Sequence, residues 1–298
     1  MAKLIYEQFK EKITENIKDY LPDEYKEAEV QISTVSKIGK TYDSLTIRPN
    51  NKNYGPAADL NKFFDAYLLG KPFDEIMKDI ADVIQTKIPE HMKDMSWLLN
   101  YEEAKDHLFI RVSNAEQNKN IIEVAPHKKI EDLIITCHVA VNQTPTGMAS
   151  TIVNKDLLER YGVTEEQLFK DAMERSPEVM PVRIDSMQDF ISNTMPEIEE
   201  KPDAANSMYI VTNKTNTNGA AVIFYSGILE KMYEKIGRSF LVLPSSVNEV
   251  IVIPDNGNYK SLKKMVEDIN QSSVEPEDRL SNSVYKYDAE SKSLCIVA

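Results

Sequence analysis

The residues able to carry chemistry are few, and two of them are neighbours. Cys137 and His138 lie in the apolar segment Ile130–Val141, whose second half has the pattern of a β-strand. Adjacent side chains of a strand point to opposite faces, so this cysteine and histidine cannot pair with each other as nucleophile and base. Either one can pair with a distant residue, but a half-buried structural histidine is the favoured interpretation, because nothing nearby supplies a third partner.

A second candidate set follows another apolar run. Ser245, Ser246 and Glu249 follow the apolar run Phe240–Leu243, where a strand end can expose a hydroxyl at the edge of a sheet. Serines at strand ends are more often turn residues. These three residues and the Cys137–His138 pair are the weak candidates for a catalytic site, which requires that two or more converge within hydrogen-bond reach in a cleft.

Familiar catalytic and cofactor motifs are absent from the sequence. It contains no HExxH, no CxxC, no GxxxxGK[ST] and no GxGxxG. Ser226 follows an apolar run, but a nucleophile elbow needs glycine two positions before and after the serine, and Phe224 and Ile228 occupy those positions. Ser226 is better interpreted as a helix N-cap. We therefore expect no cofactor and no metal.

Charge and composition narrow the class of protein. The chain has 298 residues, with 35 Lys and Arg against 48 Asp and Glu, which gives a formal net charge of −13. An acidic surface repels nucleic-acid phosphates, so direct nucleic-acid binding is disfavoured and a protein partner fits better. The longest apolar run, Ala220–Tyr225, is far too short to span a membrane. Two cysteines without a disulfide framework and an N-terminus without an apolar leader segment predict a cytoplasmic protein.

The stretch Met208–Ile253 sets the expected architecture. It contains a helix, Gly227–Ile236, with apolar residues on one face. Short apolar runs rich in β-branched or aromatic residues flank it, and each predicts a buried strand: Met208–Val211, Ala220–Tyr225, Phe240–Leu243 and Val250–Ile253. The sequence predicts an α+β fold with a mixed, mainly antiparallel sheet and packed helices.

The rest of the chain predicts two lobes. A helical stripe over Tyr6–Tyr20 and a hairpin of Glu29–Val35 with Ser44–Arg48 begin an N-terminal α+β lobe, residues 1–125. A core sheet domain, residues 126–298, follows; a single compact domain is the alternative. Within that part, Pro196–Asn206 has the composition of a hinge or a surface loop.

Two segments of the second lobe resemble each other. Thr146–Gly162 and Asn218–Gly237 both run from a turn glycine through an apolar strand and an amphipathic helix to a glycine stop. They indicate a β-β-α pseudo-repeat, although a hairpin followed by a helix is also a common local solution.

The chain also resembles an uncharacterised family, found mainly in gut Firmicutes and catalogued as domain-of-unknown-function family 5688. The resemblance covers nearly the whole chain and is carried by FKEKITENIKDYLPDEY, MYIVTNKTNTNGAAVIFYSGILEK and LPSSVNEVIVIPD. In that family LPSS is commonly followed by Ile-His-Glu, whereas Asn248 takes the histidine position here. The resemblance implies a bacterial, cytoplasmic accessory protein with an α+β fold, and it supplies no reaction.

Three functions follow as hypotheses. The favoured one is a non-catalytic binding or regulatory protein, because ordinary core patterning runs through the chain. The alternatives are a hydrolase-like enzyme that uses the strand-end residues, and an acidic mimic of nucleic acid. The sequence leaves the oligomeric state open.

Overall fold

In the computed structural model of the chain, the residues described are 3–37, 39–48, 55–86, 94–144, 147–187 and 208–298. Their contacts divide the chain into two compact units, Met1–Met95 and Ser96–Ala298. Both units combine helices with antiparallel sheets, so the predicted α+β class is confirmed. The segment Pro196–Asn206, interpreted from sequence as a hinge or a surface loop, lies outside the described residues.

In its described residues, the first unit packs three α-helices on a three-stranded antiparallel sheet. Its elements are α1 Tyr6–Asn16, β1 Glu29–Lys37, β2 Lys40–Arg48, β3 Ala57–Asp59, α2 Leu60–Leu68 and α3 Phe73–Ile84. The stripe predicted from Tyr6 onward is confirmed as α1 followed by a 3₁₀ turn, Ile17–Tyr20, with Phe9 and Ile13 completely buried. The predicted hairpin is confirmed as β1 and β2, which pair without a break.

The described part of the second unit contains two further antiparallel sheets. One has β4 and β6 as neighbours, with β5 and β7 both pairing on the other side of the long strand β6. The other has the order β13-β12-β10-β11-β9-β8. Their strands are β4 Leu108–Asn114, β5 His127–Ile130, β6 Leu133–Thr144, β7 Gly147–Ile152, β8 Val182–Ser186, β9 Tyr209–Asn213, β10 Phe240–Leu243, β11 Val250–Pro254, β12 Tyr285–Asp288 and β13 Ser293–Ile296.

The described helices of this unit are α4 Tyr101–Ala104, α5 Lys119–Val124, α6 Lys155–Tyr161, α7 Glu165–Val179, α8 Ile228–Ile236 and α9 Tyr259–Ser273. One apolar core joins the two sheets to α4, α6, α7 and α8, whereas α9 buries Val266 in a smaller, separate cluster. Cys137 of β6, Phe169 of α7 and Val252 of β11 belong to the larger core. The helix predicted over Gly227–Ile236 is confirmed as α8, which buries Met232 and Ile236 and ends at a left-handed glycine, Gly237.

The strand predicted for Ala220–Tyr225 is wrong, because Gly219–Phe224 forms a buried 3₁₀ helix. A short apolar run that is buried on all sides has no periodicity that separates a strand from a helical turn. Gly219 brings the backbone against β9: a Cβ there would lie 2.2 Å from Thr212 Oγ1 and 2.5 Å from the Asn248 carbonyl oxygen. The two segments of the suggested pseudo-repeat therefore differ, since Gly147–Ile152 is a strand and its counterpart is not.

The sequence predicts a boundary between the lobes near Ala125, whereas the contacts between residues divide the chain between Met95 and Ser96. Strands β4 and β6 lie on either side of Ala125 and pair directly, with Ile110 opposite Cys137. Residues before and after Ala125 therefore share one sheet.

Candidate functional site

Strand β6 places Cys137 and His138 on opposite faces of its sheet. Cys137 is completely buried in the apolar core, and this burial raises the pKa of its thiol well above the usual range. His138 is only 3% exposed on the other face, where its Nε2 lies 3.0 Å from Thr136 Oγ1. Burial, followed by the positive charge of Arg111, holds the pKa of His138 well below its usual value. The imidazole is therefore neutral near pH 7.

The other three candidates lie between β10 and β11. The Oγ of Ser246 accepts a hydrogen bond of 3.0 Å from the backbone N–H of Asn248, as in an ordinary turn. The carbonyl oxygen of Ser245 accepts from the N–H of Leu280 at 3.1 Å. Glu249 is half-buried, and burial raises its pKa, with Arg183 opposing and Asp278 adding to that shift. Among the described residues, no hydrogen bond joins any two of the five candidates.

Asn248 occupies the position where the resembling family commonly has histidine. Its side-chain oxygen accepts from the N–H of Asn218 at 3.0 Å, and its carbonyl oxygen accepts from Thr212 Oγ1 at 2.7 Å. Both bonds hold the turn that leads into the 3₁₀ helix Gly219–Phe224. Asn248 therefore has a structural role in this chain.

Electrostatic interactions link two of the predicted candidates, His138 and Glu249, to three charged residues that sequence reasoning missed, Arg111, Arg183 and Asp278. We call these five residues the arginine cluster. Arg111 pairs with Thr136 and Phe109 pairs with His138 across β4 and β6, so Arg111 and His138 share a face. Burial lowers the pKa of Arg111 to about 10, although the charge of Asp278 opposes this shift. Its Nε is buried without a hydrogen-bond partner.

Asp278 is the carboxylate whose charge acts on Arg111 in the arginine cluster. Burial raises the pKa of its carboxyl group, Glu277 and Glu275 add to the shift, and Arg111 opposes it. The available sequence signal is Arg111 itself, a charged residue in a strand whose neighbours on both sides are buried. That signal identifies Arg111 as unusual, but it cannot identify Asp278, which lies far away in the sequence.

A polar groove lies beside the segment that carries Asp278, and we call it the amide groove. It has a volume of about 380 Å³. Its lining is rich in side-chain amides and contains one residue of each charge: Asn114, Gln117, Glu267, Asn270, Gln271, Arg279, Leu280, Ser281 and Asn282. These residues come from the end of β4 and the turn after it, from α9, and from the segment after α9.

Hydrogen bonds fix the walls of the amide groove. Asn114 donates from Nδ2 to the Leu280 carbonyl oxygen at 3.0 Å. Asn270 is 2% exposed and donates from Nδ2 to the Ser281 carbonyl oxygen at 3.0 Å. Ser281 in turn donates from Oγ to Asp132 at 2.7 Å, and the Tyr285 hydroxyl also donates to Asp132. The groove is therefore preorganised by contacts between segments that are distant in the sequence.

Two further observations concern metals and membranes. Over the ranges that the structure describes, no group of three or more histidine, cysteine, aspartate or glutamate side chains is placed to hold a metal ion. In the same ranges, no helix has both the length and the apolar character needed to cross a bilayer.

Fold and site together define an α+β protein with a partly buried arginine cluster and an adjacent amide-lined groove. The profile of a family of unknown function, DUF5688, matches residues 6–289, and the chain belongs to that family. The chain matches no curated protein and no solved structure. The family resemblance stated from the sequence is thereby confirmed, and the function has to be argued from the site.

Proposed function

We propose that this protein is a cytoplasmic, non-catalytic binding or regulatory protein, and that the amide groove is its ligand site. The observation that carries this proposal is the groove itself, a polar pocket of about 380 Å³ whose walls are held by hydrogen bonds. Pockets of this size suit small molecules. Prearranged walls reduce the entropy cost of binding, because few side chains must be ordered when the ligand arrives.

The contacts of the candidate nucleophiles also favour binding over hydrolysis. The Cys137 thiol is enclosed in apolar packing, and its raised pKa keeps it protonated. The Ser246 hydroxyl accepts a backbone N–H within its own turn. Each side chain thus has a structural explanation. The hydrolase-like and nucleic-acid-mimic alternatives stay predictions of the sequence.

A cytoplasmic location is supported by the cysteines. Cys137 and Cys295 are both free, and the first is completely buried while the second is half-buried. Free thiols are retained most readily in a reducing compartment.

Native mass spectrometry tests the binding role. The full-length protein is mixed with a low-molecular-mass extract of bacterial cells, and we expect one bound ligand per chain. The mass of the released ligand should stay the same during incubation, because a binding protein does not convert its ligand. Gln271→Trp places a bulky ring at the exposed side of the groove and should abolish the adduct. Gln31→Trp makes the same change on exposed β1, outside the groove, and should leave the adduct intact.

Conversion of the released compound into a product would contradict the proposal, above all if Ser246→Ala or Cys137→Ala stopped that conversion. An adduct that survives Gln271→Trp would show that the ligand binds elsewhere. Thiol labelling gives an independent check. Iodoacetamide should modify Cys295 in the native protein and leave Cys137 unmodified until the protein unfolds, whereas fast labelling of Cys137 would favour the hydrolase-like alternative.

A further inference from the structure

The charged residues of the amide groove carry information about the ligand. Arg279 lines the groove and donates its Nε to the Val274 carbonyl oxygen at 3.0 Å, which fixes the guanidinium group and leaves its two terminal nitrogens for other partners. Glu267 lines the same groove from α9 and is half-buried. Among the described residues, neither side chain takes part in an ion pair within 4.0 Å. The groove thus presents one cation and one anion that do not neutralise each other directly.

The amides between these charges add hydrogen-bonding capacity. The Asn270 Nδ2 donates to the Ser281 carbonyl oxygen and to Asn282 Oδ1, at 3.0 and 2.6 Å, while its own Oδ1 is buried without a partner. A buried acceptor without a partner is unfavourable, so a ligand donor that reaches it stabilises the protein. Gln117 and Gln271 are exposed at the groove and each offer both a donor and an acceptor.

This inference rests on the proposed binding function. We propose that the amide groove binds a zwitterionic α-amino acid or a dipeptide, with the ligand carboxylate on Arg279 and the ligand ammonium on Glu267. A guanidinium group matches a carboxylate in a two-bond geometry, and a carboxylate accepts from an ammonium group with charge assistance. The amides then bind polar groups of the side chain or the peptide bond.

Other small ligands satisfy this lining less well. A simple anion leaves the Glu267 carboxylate facing it, and the net charge of −13 further disfavours it. A simple cation leaves Arg279 uncompensated. A neutral sugar suits the amides, but it desolvates both charged groups without replacing their interactions with water. A zwitterion is the class of ligand that can pair with both charged side chains and also form hydrogen bonds with the amides.

The test begins with a thermal-shift screen of the twenty amino acids and a set of glycine-containing dipeptides. Isothermal titration calorimetry follows on the tightest compound and on its two capped analogues, one N-acetylated and one C-amidated. Each cap removes one charge, so we expect each analogue to bind at least about tenfold more weakly than the parent. Glucose and inorganic phosphate should not bind at the same concentrations.

Charge-removing variants assign the ends of the ligand. In Glu267→Gln the parent should bind about tenfold more weakly, and the penalty for N-acetylation should disappear. In Arg279→Gln the penalty for C-amidation should disappear instead. Asp268→Asn and Lys264→Gln remove the same charges from exposed neighbours on α9 and should change neither affinity nor the ranking of analogues. Arg279→Lys keeps the positive charge and should retain the penalty for C-amidation. Circular dichroism confirms that each variant is folded.

The proposal is overturned if no zwitterion in the screen binds, if capped analogues bind as tightly as the parent, or if the two variants lose affinity without changing the analogue ranking. These outcomes are distinct from failure of the binding role. A groove-dependent adduct in native mass spectrometry, with no zwitterion bound, would keep the binding function and reject this ligand class.

Discussion

The two compact units differ in how they treat polar groups. In the first unit the charged side chains pair near the surface, as Lys10 does with Asp43 at 2.9 Å and Lys40 with Asp59 at 2.6 Å. Among the described residues of this unit, Ser44 is the one buried residue with a polar side chain. The second unit buries many more: Ser113, Asn118, Thr136, His138, Ser176, Thr212, Asn213, Ser246, Asn270 and Ser281.

Incomplete hydrogen bonding sharpens this difference. The second unit contains buried atoms without a hydrogen-bond partner, including Arg111 Nε, Ser113 Oγ and Asn270 Oδ1. Native proteins satisfy most buried polar groups, so such atoms require an explanation, of which a ligand site is one. The first unit therefore has the character of a stable scaffold, and the second unit is where binding should be sought.

Two glycines should give the largest contrast. Gly219→Ala puts a Cβ 2.2 Å from Thr212 Oγ1, so the tightly packed backbone must move, and we expect a loss of about 3 kcal/mol in the free energy of unfolding. Gly55→Ala in the first unit meets its nearest atom, the Ile47 carbonyl oxygen, at 3.4 Å and should change stability by less than about 1 kcal/mol. Urea unfolding measures both, and equal losses would show that the packing at Gly219 is relaxed easily.

Replacing threonine by valine should separate the units next. Thr136→Val removes the hydroxyl beside the buried His138 Nε2, which leaves that nitrogen unpaired and should cost about 2 kcal/mol. Thr34→Val removes an exposed hydroxyl that donates to Asp43 at 2.9 Å, and it should cost no more than about 0.5 kcal/mol. Denaturation midpoints of both variants provide the comparison. If Thr136→Val left the stability unchanged, His138 Nε2 would have another hydrogen-bond partner.

Two carboxylates should respond to pH in opposite directions. Burial raises the pKa of Glu249 in the folded protein, so its charge opposes folding once the pH rises through that pKa. Glu249→Gln should therefore stabilise the protein at pH 7, by less than about 1 kcal/mol, and the gain should vanish as the pH falls towards the ordinary glutamate pKa. The Lys10 hydrogen bond lowers the pKa of Asp43, so Asp43→Asn should destabilise at pH 7.

The cost of Asp43→Asn should be lost as the pH falls through the folded-state pKa of Asp43, and salt should reduce it because the pair lies near the surface. Thermal unfolding of both variants is measured between about pH 3 and pH 8, which covers the range in which ordinary carboxyl groups titrate. If both substitutions changed the stability at pH 7 in the same direction, the two units would not differ in this electrostatic property.

The smallest effect concerns His138. The charge of Arg111 lowers the pKa of this histidine, so Arg111→Met should raise that pKa, while burial still keeps it below the usual value. Arg183→Met, a matched change in the same cluster, should leave the His138 titration unchanged and act on Glu249 instead. Nuclear magnetic resonance titration of the imidazole signals reads both. If the pKa of His138 were unchanged in Arg111→Met, the charge of Arg111 would not act on His138.

The sequence by itself determined the elements in which the spacing of apolar residues is compatible with only one type of secondary structure. The amphipathic pattern of Gly227–Ile236 admits only a helix that buries one face, and α8 is that helix. The alternation of side chains in β6 places Cys137 and His138 on opposite faces whatever else they contact. These features depend on neighbours within a few residues, so they can be predicted from local order.

Only the tertiary structure decided the rest. Ala220–Tyr225 has the composition of a strand, but the close approach of Gly219 to Thr212 and Asn248 makes that stretch begin as a 3₁₀ helix. The amide groove joins the end of β4 to α9 and to the segment after it. Hydrogen bonds such as that from Asn114 to Leu280 link positions far apart in the chain, and no local pattern specifies which distant residues will meet.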